Sequence, residues 1–135
     1  MAGYAPTSQA RKLGLQPGLR VALVAAPAGW TLDDPPAVEF VDDGPAEVVL
    51  AFVRHAAELD PAGWGERIFP NGAVWVLWPR KAAGHVSDVT ENGIRDAVLP
   101  LGLVDVKVAA VDTDWSGLKV VWRRDRRSTP KKSSR

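Results

Sequence analysis

Three stretches of the chain are almost continuously apolar: Arg20–Ala26 (RVALVAA), Glu47–Val53 (EVVLAFV) and Ala73–Trp78 (AVWVLW). Runs of strand length with no polar alternation are the pattern of strands covered on both faces. Each is closed by a breaker: Pro27-Ala28-Gly29-Trp30 after the first, and Pro79 after the third. A short helix is predicted over Gln9–Leu13, capped by Ser8 and stopped by Gly14. A second helix is predicted over Glu91–Leu99, with Thr90 as its cap, Glu91 favouring the helix dipole, and Ile94, Val98 and Leu99 as its apolar stripe. Ala56–Arg67 reads as helical but short or broken, because Pro61, Gly63 and Gly65 interrupt it. Asn71-Gly72 reads as a turn, 80–89 as a polar loop, and 31–36 (TLDDPP) as a loop, since paired prolines disfavour helix. Val104–Val111 and Leu118–Trp122 then form a closing hairpin around Asp112–Gly117 (DTDWSG). Ala37–Val41 is a weak strand. Only about five residues link it to the next one, whereas a parallel crossover needs ten or more, so it is expected as an edge piece with its direction left open.

Buried strands alternating with helices imply an α/β fold: a small, Rossmann-like, mostly parallel sheet with helices on both faces. The last hairpin must be antiparallel, because its turn is too short for a crossover. In its second half this order resembles the end of a class I methyltransferase fold, where two strand–helix units precede an antiparallel hairpin. The whole is expected as a truncated version of that fold.

The length of 135 residues fits one domain, and the absence of cysteine excludes thiol catalysis, thiolate metal sites and disulfides. No apolar stretch approaches the roughly 20 residues of a membrane span. The opening MAGYAPTSQARKLG carries no apolar run, so a cytoplasmic protein without a signal peptide is expected. The net charge of +1 conceals an asymmetry: from Arg123 to Arg135 seven basic residues face one acid, while residues 1–122 hold ten basic and fifteen acidic residues. A single domain over 1–123 and a disordered basic tail over 124–135 are therefore expected.

Ligands of such sheets bind outside the carboxyl ends of the strands. That edge gathers Pro27–Trp30, Arg54 and His55, Pro79–Lys81 and Asp112–Ser116. Arg80 and Lys81 are its sharpest polar feature; with Lys107 or Lys12 they offer donors to a phosphate or carboxylate. Trp30 and Trp115, read as loop residues, offer contact area for a ligand or partner, and Asp112 and Ser116 complete the candidate set. The simpler readings are a solvated basic loop, tryptophans capping the core, and turn hydrogen bonds for the serine. A nucleotide site meets an obstacle, since the turn AAPAGW holds one glycine and is followed by prolines rather than by a crossover helix. Asp42 or Asp43 falls at the distance of a ribose-binding acid, though two aspartates before Gly-Pro are more simply a turn. His55 and His85 lack carboxylates in metal spacing. No metal and no cofactor are expected.

Several motifs taken together resemble a widespread bacterial family of small proteins catalogued as a domain of unknown function. They are Gly3-Tyr4, Lys12-Leu13-Gly14, the strand ending at Trp30, Trp78-Pro79 with Lys81, Thr90-Glu91, Gly102 to Asp112 (GLVDVKVAAVD), and Trp115-Ser116-Gly117-Leu118. They span nearly the whole chain. Arg80 departs from the pattern, where a lysine is expected, and so does the interrupted helix after His55. The resemblance implies the Rossmann-like fold and supplies no activity. The leading expectation is a non-catalytic domain that binds a small anionic ligand or a protein at the carboxyl edge. Lys81→Ala or Trp115→Ala should then weaken binding and change stability by less than about 1 kcal/mol. The alternatives are an unusual transferase acting on an anionic small molecule and, less favoured, a nucleic-acid-associated protein acting through its tail.

Overall fold

Each long apolar run becomes a strand of one six-stranded sheet. The computed structural model describes residues 8–124; the N-terminal arm with Tyr4 and all but the first residue of the basic tail lie outside them. The elements are α1 (Gln9–Leu13), β1 (Arg20–Val24), β2 (Glu39–Phe40), β3 (Ala46–Phe52), α2 (Pro61–Arg67), β4 (Ile68–Pro79), α3 (Glu91–Val98), β5 (Leu103–Ala110) and β6 (Trp115–Trp122). Single 3-10 turns follow β3, β4 and α3. The strand order is β2-β1-β3-β4-β6-β5. β1 to β4 run parallel, and β6 lies antiparallel between β4 and β5. The mixed α/β architecture read from the hydrophobic pattern is the one observed.

The helix ends follow local chemistry. Ser8 Oγ accepts from the Arg11 amide, and Gly14 closes α1 at φ 74°, in the left-handed region that glycine adopts without a Cβ clash. Thr90 Oγ1 accepts from the Gly93 amide at 3.0 Å. The interrupted segment after His55 resolves into a 3-10 turn and then α2, where Pro61 stands in the first turn and does not break the helix.

Alternation along each strand distributes its apolar run to two layers. On one face Val49, Val53, Val74, Val76, Leu118 and Val120 pack under Trp64 of α2 and Ile94 and Val98 of α3. On the other, Val21, Leu50, Phe52, Trp75, Leu77 and Trp115 pack under Leu13 and Leu15 and under Leu32 of the long loop after β1. Gly117 is needed where β6 crosses this second layer: a Cβ there would stand 2.8 Å from both Leu77 Cδ2 and Val111 Cγ2. Among the described residues no helix is long and apolar enough to cross a membrane.

One local expectation is resolved and three are corrected. The weak strand is the two-residue β2, parallel to β1 at the sheet edge. Its short link to β3 is no crossover between neighbours, because β2 and β3 flank β1: Val21 pairs with Phe40 on one side and Val48 on the other, so the chain barely climbs before returning. Asn71-Gly72 is an irregularity within β4, where the register jumps between the pairs Ala46–Ile68 and Val48–Ala73. β1 ends at Val24, because Ala25 turns to φ 58°. Trp115, Ser116 and Gly117 belong to β6 and not to a loop, since they pair with β4 and β5.

Candidate functional site

β2 and β3 leave β1 on opposite sides, so the strand order reverses there. The crevice outside the carboxyl ends at such a point is where open α/β sheets place ligands. Here it is a cleft of about 320 Å³. The loop after β1 supplies Pro27 to Trp30, the end of β3 supplies Arg54, the end of β4 and its following loop supply Pro79 and His85, and the β5–β6 connection supplies Asp114 and Trp115.

Its aromatic wall is braced by Phe52 of β3. Trp30 meets the Phe52 ring edge-to-face at 4.8 Å, and Phe52 meets Trp115 in the same way at 5.0 Å. Asp112 fixes this wall. Its Oδ2 accepts from Trp30 Nε1 at 2.9 Å, and its Oδ1 accepts from the amides of Asp114 and Trp115, both at 2.9 Å. Asp112 is therefore spent on structure, as the Asp in a turn often is. Arg80 is committed in a similar way. Its amide donates to Asp114 O, and its Nη1 donates to the carbonyls of Asp112 and Thr113. It clamps the β5–β6 turn and leaves the cleft to others.

The polar groups that do open onto the cleft are Arg54, His85 and Asp114. The Arg54 guanidinium lies 5.1 Å from the Trp115 ring centroid and forms no ion pair or side-chain hydrogen bond among the described residues. Its backbone is held by Glu58, whose carboxylate accepts from the Arg54 and His55 amides at 2.6 and 3.1 Å. Those two bonds pull Glu58 below the usual carboxylate range. His85 Nε2 stands 3.0 Å from Asp114 Oδ1, both side chains being substantially exposed.

The residues expected at one site divide among three places. Trp30 and Trp115 form the wall of this cleft, with Asp112 behind them and Arg80 beside them. Trp115 is only 5% exposed and belongs to the core, so it offers a ligand no more than the margin of its ring. Lys81 and Ser116 line a different cleft, of about 450 Å³, together with Trp78, Thr90, Glu91 and Arg95 on the α3 side. Ser116 goes there because neighbouring residues of a strand face opposite ways, which sends it across the sheet from Trp115, and Lys81 stands in the 3-10 turn after β4. Lys107 stands mid-strand, opposite Lys119, with its Nζ 5.8 Å from the Trp75 ring centroid. It joins neither cleft. Burial, and secondarily the charge of Lys107, lower the pKa of Lys119. Lys12 donates to Ala110 O at 3.0 Å.

What spacing missed is the pairing of His85 with Asp114. They are 29 positions apart in sequence, and only the packing of the loop after β4 against the β5–β6 turn brings them together. Arg54 was legible as a residue at the carboxyl end of a buried strand, but nothing local showed that its charge stays unpaired. No group of three metal-ligating side chains gathers among the described residues.

The loop after β1 runs from Ala25 to Val38 without a helix and has Gly29 as its single glycine. No helix N-terminus therefore points at the cleft from β1 to hold a phosphate. Asp42 and Asp43 follow β2 at the level of the amino-terminal half of β1 and do not line the cleft. These residues do not fit a nucleotide cofactor held in the Rossmann manner.

No family model and no curated protein match the chain. Among solved structures it is similar to ribosomal protein L11 methylase from Lactobacillus delbrueckii subsp. bulgaricus, at TM-score 0.53 and 12% identity, over 86% of this chain and 76% of that one. It also matches N-methyltransferase NodS from Bradyrhizobium japonicum WM9 at TM-score 0.46 and 10% identity, over 80% of this chain and 88% of that one. At such identity the first likeness shows a shared fold: the sheet with its closing antiparallel hairpin is built as in a methyltransferase.

Proposed function

We propose that the chain is a binding domain for a small anionic molecule, held in the cleft between Trp30 and Arg54. One observation carries the reading: Arg54, at the point where the strand order reverses, lies against an aromatic wall, and its guanidinium forms no ion pair among the described residues. A guanidinium is the group best suited to grip a carboxylate or phosphate with two parallel hydrogen bonds. The wall around it is preorganised, because Asp112 and Arg80 are committed to the wall and its turn.

A second reading, a transferase acting on an anionic small molecule, is favoured by the His85–Asp114 contact on the same cleft. A histidine oriented by a carboxylate is placed to take a proton from a bound nucleophile. A bound anion that is converted to product by the wild-type chain but not by His85→Gln would move the protein to this class.

The test is a thermal-shift screen against nucleotides, S-adenosylmethionine, coenzyme A species, sugar phosphates and organic acids. A ligand at 100 times its Kd stabilises the folded state by about 2.7 kcal/mol, which moves the melting temperature by several degrees. The expected result is a shift that disappears in Arg54→Ala and persists in Lys81→Ala. A flat screen would overturn the small-ligand reading and leave a protein-docking domain. A shift unchanged in Arg54→Ala would place the ligand elsewhere.

A further inference from the structure

A second cavity adjoins the first. It measures about 280 Å³ and is lined by Leu23, Trp30, Thr31, Leu32, Pro35 and Phe40. Trp30 is the wall common to both. The two differ in chemistry: the first presents Arg54, His85 and Asp114, whereas Thr31 is the one polar side chain of the second. Phe40, at the sheet edge, is 54% exposed, which leaves a large apolar surface beside an apolar hollow.

The loop that separates the cavities is built rather than loose. Leu32 is anchored in the core. The Asp33 amide donates to Gln9 Oε1 at 2.6 Å, and Gln9 Nε2 donates to Val111 O at 3.2 Å. Gln9 is the one buried polar side chain among the described residues. The same loop holds both non-glycine residues with positive φ found there, Ala25 at 58° and Asp34 at 47°. L residues seldom adopt that conformation, and where it persists the surroundings impose it, often at ligand sites. At about 320 and 280 Å³, each cavity alone sits at the low end for small-molecule sites, about 300–1,000 Å³.

From this juxtaposition we infer that the ligand is an amphipathic anion, a monocarboxylate whose hydrocarbon tail passes Trp30 into the hollow beside Phe40. This rests on the proposed anion site and adds the tail. Arg54 takes the carboxylate, the indole of Trp30 covers the first methylenes, and the remaining carbons cover Leu23, Pro35 and Phe40. The tail desolvates the exposed phenylalanine, which a purely polar ligand would leave wet.

The proposal is tested by titrating the full chain, by NMR and calorimetry, with straight-chain carboxylates from acetate to octanoate, and with octanol as the headless control. Affinity should rise by about fourfold per methylene, the value for a CH₂ leaving water, until the hollow is filled. Phe40→Ser should lower octanoate affinity by about tenfold and leave acetate unchanged, and Phe40→Leu should restore most of the loss. Phe40 is exposed enough for both variants to fold. If acetate and octanoate bind equally and both depend on Arg54, the anion site stands and the tail site falls. If octanol binds as well as octanoate and Arg54→Ala changes neither, the anion site itself falls and the amphipathic reading falls with it.

Discussion

Two clefts open on opposite faces of this sheet, and each is lined by an arginine. On the α3 side, Arg95 donates from Nε to Asp105 at 2.8 Å, from Nη2 to Glu91 at 3.0 Å and from Nη1 to Asn92 at 3.0 Å. On the loop side, the Arg54 guanidinium lies on Trp115 and forms no ion pair or side-chain hydrogen bond among the described residues. The α3-side cleft is the larger, at about 450 against about 320 Å³. Size therefore points one way and chemistry the other. A guanidinium already satisfied by two carboxylates has little left to offer an anion, whereas an unpaired one has its full charge. Arg95 acts as a brace between α3 and β5, and Arg54 is the available counter-charge.

The largest effect that would sharpen this contrast is structural. Trp115→Ala should remove about 3–5 kcal/mol of stability, because it empties a core site against Phe52 and Leu77; urea denaturation measures it. This corrects the expectation that the substitution would be nearly silent for stability. A loss below about 1 kcal/mol would mean that the ring is a surface platform and not part of the core.

Next is the exchange between the two arginines. Arg54→Ala should weaken binding of the best anion from the screen by tenfold or more, the scale of a lost charge-assisted hydrogen bond, with an unchanged melting temperature. Arg95→Ala should do the reverse, lowering the melting temperature by a few degrees and leaving anion affinity intact. The opposite pattern in calorimetry would break the comparison.

Acid should weaken the brace. The Arg95 guanidinium holds Asp105 below the usual carboxylate range, and the Arg20 guanidinium does the same for Glu47. A carboxylate whose pKa is lowered on folding stabilises the folded state above its unfolded pKa of about 4, and that contribution is lost as pH falls through the folded value. Unfolding free energy should therefore decline on acidification below pH about 4–5. Asp105→Asn should flatten part of that decline.

The smallest effect belongs to the third basic group. Lys107 and Lys119 face each other across β5 and β6, and like charges directly opposite destabilise a sheet by a few tenths of a kcal/mol. Lys107→Thr should raise stability by about that much at neutral pH. In the wild type, the depressed Lys119 pKa means that the unfolded state binds more protons in alkali, so part of the penalty should be relieved as pH rises toward 10.

The strands, the caps at Ser8 and Thr90 and the closing hairpin were legible in the sequence because each depends on residues within a few positions of one another. The carboxyl edge was legible too, and Arg54 with it, since strand ends follow from strand assignments. The candidate set drawn from that edge held together less well. Lys81 and Ser116 crossed to the other face, and Lys107 moved away along its strand. Asp112 and Arg80 turned out to be hydrogen-bonded to the cleft's own wall and turn.

What the sequence determined by itself is the α/β sheet and which segments meet at its carboxyl edge, because hydrophobic periodicity and turn chemistry are local. What only the tertiary structure decided is which polar groups remain free there. That depends on register, which sends Ser116 and Trp115 to opposite faces, and on contacts across long separations, such as Trp30 with Asp112 and His85 with Asp114. A charge is available to a ligand only when the fold has given it no partner, and partners are assigned by packing, which local sequence does not encode.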